Sequence, residues 1–118
     1  MIRKKNDCRV EERFEMRGGK GTVRIAHMFE PGREIRSQNR LCARLVIEPG
    51  NSIGFHRHDG EEELFVIMKG RARIDDDGQV SEVAAGDAVL TGGGAGHAIE
   101  NIGDETLEVL AVISKFPE

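Results

Sequence analysis

Residues 50–70 read GNSIGFHRHDGEEELFVIMKG, and residues 86–101 read GDAVLTGGGAGHAIEN. The first stretch carries two of the chain's four histidines, His56 and His58, one residue apart. In a strand, side chains at i and i+2 point to the same face. The two imidazoles then project side by side, as two ligands of one ion must. Glu61, Glu62 and Glu63 follow, and one of them can close the ion from the next strand. Three neutral imidazoles and one carboxylate would leave a divalent ion with a single positive charge in a poorly solvated cavity. Alternation does not choose among the three acids. Phe65 and Ile67 share the parity of Glu63, while Leu64, Val66 and Met68 share that of Glu62. The other two acids read as a solvated loop. His97 ends the second stretch's glycine run, where glycine permits a tight, irregular approach and leaves the next side chain free to turn inward. The run is not the G-x-G-x-x-G dinucleotide fingerprint, because His97 stands where the last glycine belongs.

Outward from these stretches the chain reads as short strands. Residues 22–29 are rich in β-formers and end at Pro31-Gly32. Leu41, Ala43, Leu45 and Ile47 share one face of a strand, with Cys42, Arg44 and Val46 on the other. Pro49-Gly50 closes it. Further strands are expected over residues 52–58, 64–68, 72–74, 80–83, 88–90, 98–100 and 107–113. Asp77-Gly78 is a hairpin signal. Strands at this spacing argue for a sandwich or barrel. Residues 9–16 read as one helical turn, an edge strand or neither, and no amphipathic helix is evident.

Composition bounds the rest. A length of 118 residues suits one compact domain. With no Trp or Tyr and only five Phe, the core must be aliphatic. Fifteen glycines suit an all-β fold with many turns. A net charge of −4 lacks the basic surplus of a nucleic-acid binder. No run approaches the ~20 apolar residues of a membrane span. Cys8 and Cys42 form no disulfide framework, so a cytoplasmic location with reduced thiols is expected. Gly18-Gly19-Lys20-Gly21 does not match a phosphate loop and reads as a turn.

Gly50-x5-His56-x-His58-x4-Glu63-x6-Gly70 matches the first cupin motif at every defined position. Gly86-x5-Gly92-x-Gly94-x2-His97-x3-Asn101 matches the second, except that Gly92 stands where the family usually has proline. Fifteen residues separate the two, as in small bacterial cupins. The chain therefore resembles a single-domain cupin over nearly half its length. The resemblance implies an all-β, double-stranded β-helix (jelly-roll) barrel. It would comprise residues 41–114, preceded by an N-terminal segment (1–21) serving as edge strand or dimer contact. It selects Glu63 over its neighbours and implies one divalent transition metal per chain (Mn, Fe, Ni, Zn, Co or Cu) held by His56, His58, Glu63 and His97.

An ion with these ligands keeps one or two open positions, which suits catalysis. The resemblance implies a metal-dependent enzyme of dioxygenase, decarboxylase or isomerase type acting on a small oxygenated or carboxylated molecule. The alternative is a non-catalytic small-ligand or sugar-binding barrel. Oxalate decarboxylases place an arginine three residues before the first metal histidine. Here that residue is Ile53, which speaks against oxalate. No base or acid near the open position is evident. His27 lies outside both motifs and reads as structural or interfacial. Cys42 reads as a small core residue and Arg44 as an outward charge, or, if its face lines the barrel, as a partner for an anionic substrate. Phe55, opposite in parity to His56, needs cover, and the resemblance implies a homodimer.

Overall fold

The computed structural model describes all 118 residues. Ten strands run in chain order: β1 (Arg9–Phe14), β2 (Thr22–His27), β3 (Asn39–Ile47), β4 (Ser52–Arg57), β5 (Glu61–Lys69), β6 (Arg71–Asp76), β7 (Gln79–Ala84), β8 (Ala88–Gly92), β9 (Gly96–Asn101) and β10 (Leu107–Lys115). Helix is confined to two single turns, Lys5–Asp7 and Met16–Gly18. One sheet has six strands in the order β1-β2-β3-β10-β5-β8, and the other has four in the order β4-β9-β6-β7. Every strand pair is antiparallel. This is the jelly-roll barrel that the motifs imply.

Alternation in the sequence becomes alternation in burial. Along β3, Ala43, Leu45 and Ile47 are buried; along β10, Leu107, Val109, Ala111 and Ile113; along β5, Phe65 and Ile67. From the facing sheet come Ile53, Ala72, Ile74 and Ile99. Phe65 is the one aromatic ring in this core, so the core is aliphatic as composition requires. Thr91 on β8 donates to Asp76 on β6 at 2.9 Å, which ties the two sheets together.

Residues 9–16 resolve into an edge strand and a turn. β1 pairs only with β2 and forms the free edge of the larger sheet, with Val10 and Phe14 largely exposed. Asp77 and Gly78 form the tight β6–β7 turn with φ of 52° and 95°, the double left-handed turn that an Asp-Gly pair favours.

Two expectations fail on β3 and β5. Cys42 is half-buried on the outer face rather than in the core, and burial pushes its thiol pKa up. Arg44 lies on that same outer face, where it donates to Glu108 at 2.9 Å; the barrel-lining alternative does not hold. The acidic triplet is not a loop either. β5 begins at Glu61, so the strand expected over residues 64–68 starts three residues earlier.

Candidate metal centre

β4 and β9 bring the histidines together. Ile53 pairs with Ile99 and His56 with His97, so three steps on β4 oppose two on β9. The bulge at Gly54-Phe55 resets the alternation. Ile53 and His56 therefore both face inward, although their spacing is odd. Phe55 is thrown outward, 44% exposed, with the Arg57 guanidinium 5.7 Å from its ring centroid. His58 follows the end of β4 and is held by backbone hydrogen bonds with Ala95 and Gly94.

The three imidazoles surround one point. Each pair of ring centroids is 4.8 Å apart. His58 Nε2 lies 3.0 Å from His97 Nε2 and 3.0 Å from Glu63 Oε1, and His97 Nε2 lies 2.9 Å from Glu63 Oε1. The ligand atoms of His56, His58, Glu63 and His97 all fall within 4.8 Å of one another. Adjacent ligands on an octahedral ion with bonds of ~2.1 Å stand ~3.0 Å apart. The three separations among His58, Glu63 and His97 fit that edge length. The residues expected from the sequence are the ones that converge.

Hydrogen bonds behind the rings set which nitrogen faces the centre. His56 Nδ1 donates to the Gly54 carbonyl at 2.8 Å. His58 Nδ1 donates to the Glu61 carboxylate at 2.6 Å. Both partners only accept, so neutral His56 and His58 keep an Nε2 lone pair for an ion. The His97 ring stacks on Phe65 at 4.6 Å, which fixes its plane.

Electrostatics follow from this crowding. Burial lowers the His56 pKa. The hydrogen bond with Glu63 raises that of His58 against its own burial, with Glu61 adding to the rise. Burial pushes Glu63 up, but its hydrogen bonds with His58 and His97 hold it below the usual carboxylate range.

Glu61 is the residue that alternation undervalued. It is 9% exposed and accepts a bidentate pair from Arg40 at 2.7 and 2.8 Å. The Arg40 guanidinium, aided by His58, brings its pKa down to about 2. Its signal was in the sequence: Glu61 sits two residues before Glu63 and shares its face.

A cavity of about 80 Å³ opens beside the cluster, with His56, His58 and Glu63 in its wall. Ile25, Leu41, Leu45 and Ile53 make its apolar side. Arg13, Arg17 and Arg40 also line it. His27 is in this wall, buried at 8% exposure, with Nε2 2.6 Å from Glu11 Oε1. It stands outside the convergent set.

The second motif's departure has a cause. A Cβ at Gly92 would stand 2.4 Å from both the Glu61 carbonyl oxygen and the Glu62 Cα. β8 approaches β5 too closely there for proline. Asn101, the motif's last residue, is structural. Its amide donates to the Ile47 and Glu105 carbonyls at 2.8 and 2.9 Å, and its oxygen accepts from Gly103 N–H at 2.9 Å.

Residues 43–113 match the cupin domain family. The chain belongs to the cupin family. This cupin is 39% identical to an oxalate-binding protein of Thermotoga maritima over 113 residues, 96% of this chain and 93% of that one. It is similar in structure to a predicted oxalate decarboxylase of the same organism, with a TM-score of 0.94 and 38% identity, covering 98% of this chain and all of that one. It also matches the oxalate decarboxylase of Bacillus subtilis at 30% identity, over 86% of this chain but only 26% of that longer protein.

Proposed function

We propose that this cupin holds one divalent transition metal through His56, His58, Glu63 and His97, and on it binds a small carboxylated molecule of the oxalate class. The carrying observation is the convergence of three imidazoles and one carboxylate within 4.8 Å of one another, with His58, His97 and Glu63 at octahedral edge lengths, beside a small cavity. The ion would supply Lewis acidity to a ligand's oxygens. The chain's own groups do the selecting. The cavity volume admits only a molecule of a few heavy atoms. Its apolar wall excludes water from one side, and its arginines favour an anion. The Thermotoga relative's oxalate binding supports the same ligand class. Ile53, 2% exposed in the cavity wall, offers no charge, so recognition falls to other residues.

The test is calorimetric titration of oxalate into metal-loaded and metal-stripped protein. Binding that requires the metal supports the reading. Equal binding without metal, or none with it, contradicts it.

Turnover is a second reading, and one observation favours it. Glu11 and His27 form a carboxylate–imidazole pair on the cavity wall, 2.6 Å apart, where a proton can be held near a bound ligand. Formate and carbon dioxide released from oxalate by the metal-loaded protein would establish decarboxylation. A stable complex with no product would leave binding as the function.

A further inference from the structure

Three arginines line the cavity, and two are already engaged. Arg40 is paired with Glu61, and Arg13 Nε lies 3.3 Å from Glu11 Oε2. Arg17 has neither an ion pair nor a side-chain hydrogen bond, although it lines the same wall as His56, His58 and Glu63. With a divalent ion and the Glu63 carboxylate in place, one positive charge remains on the ion and one on Arg17. The complement of two such charges in a small cavity is a compact dianion.

Arg17, an exposed residue, sits at an unusual point of the backbone. Arg17 has φ 56° and ψ 30°, and Glu15 has φ 52°, a left-handed conformation that L side chains rarely adopt. The turn is closed by hydrogen bonds from Gly18 N–H to the Glu15 carbonyl at 2.9 Å and from Gly19 N–H to the Met16 carbonyl at 3.0 Å. It is then pressed against β4. A Cβ at Gly54 would stand 2.0 Å from the Arg17 carbonyl oxygen, and one at Gly19 would stand 2.2 Å from that of Ser52. Two glycines thus let the turn dock two residues before His56, and the residues held in the costly conformation are Glu15 and Arg17 rather than further glycines. Strain of this kind collects at ligand sites.

We propose that Arg17 is the specificity-determining residue of the cavity, holding the carboxylate of a small dianion that the metal does not hold. This rests on the metal-bound carboxylate reading above. Arg17 reaches the cavity from the turn after β1, and so supplies a cation that Ile53 cannot.

The experiment uses the full chain loaded with Mn(II) and titrated with oxalate and with acetate. The main variant is Arg17→Gly, which removes the guanidinium and also relaxes the backbone. Its expected signature is a loss of oxalate affinity of roughly tenfold or more, the scale of a charge-assisted contact. Metal content, acetate affinity and thermal stability should stay the same or, for stability, rise. Arg17→Lys should recover part of the lost affinity. Oxalate affinity unchanged in Arg17→Gly overturns the proposal, as does a parallel loss of acetate and oxalate. A tenfold loss that persists in metal-stripped protein upholds Arg17 and overturns the metal-bound reading. Wild-type protein that binds no oxalate when loaded overturns both.

Discussion

Glu61 Oε2 accepts the Nδ1 proton of His58 at 2.6 Å, while both Glu61 oxygens accept from Arg40. The acid fixes the His58 tautomer, and the arginine holds the acid. Outer partners of this kind commonly contribute 10–100-fold to metal affinity. Glu61→Ala is therefore expected to weaken Mn(II) or Zn(II) binding by about that factor while leaving the stoichiometry at saturation unchanged. Competition against a chelator of known affinity measures it. Wild-type affinity in the variant would show that the contact does not orient the ring.

The same contact predicts an acid response of the metal-free fold. The folded-state pKa of Glu61, about 2, lies below its ordinary value of 4.5. Its contribution to stability is complete above the ordinary value and is lost as pH falls through the lower one. Denaturation of metal-free protein between these limits should show stability falling with pH, with a shallower fall in Glu61→Gln. Identical pH slopes for the two proteins would count against the pairing.

Metal binding should weaken in mild acid for a separate reason. The His58 pKa is raised from its ordinary value, chiefly by its hydrogen bond with Glu63, so protons compete for its Nε2 as pH falls into the mildly acid range. Elemental analysis after dialysis across this range should show progressive loss. A full complement retained at about pH 4 would require a different ligand set.

Phe65 fills the core and backs the His97 ring, stacked at 4.6 Å. Phe65→Ala should cost ~3–5 kcal/mol of stability and also weaken metal affinity. Chemical denaturation and chelator competition read the two effects. A stability loss with metal affinity unchanged would mean that the ring does not position His97.

Gly92 offers a test in the opposite direction from family preference. Restoring the usual proline should destabilise this cupin by about 1–3 kcal/mol, the cost of overpacking, because backbone atoms of Glu61 and Glu62 occupy the space of a Cβ. A higher melting temperature for Gly92→Pro would show that β8 moves away freely.

The sequence exposed one strand through alternation in residues 41–47, and offered three histidines and an acidic triplet as ligands; the cupin resemblance selected Glu63 from the triplet. Three features escaped it, each for a physical reason. The bulge at Gly54-Phe55 breaks the period of two, so parity cannot place Ile53 on the same face as His56. Glu61 looked solvated because three consecutive acids have no internal contrast; its partners Arg40, on β3, and His58 become visible only in the fold. Arg17 carries no local signal, because its role depends on a turn docking on a strand 35 residues later.

Anomalous X-ray scattering from crystals of the metal-loaded protein tests the centre most directly. The expected result is one peak per chain, about 2.1 Å from the Nε2 atoms of His56, His58 and His97 and from a Glu63 oxygen. A peak elsewhere, or none at this point in crystals grown with excess metal, would contradict the account.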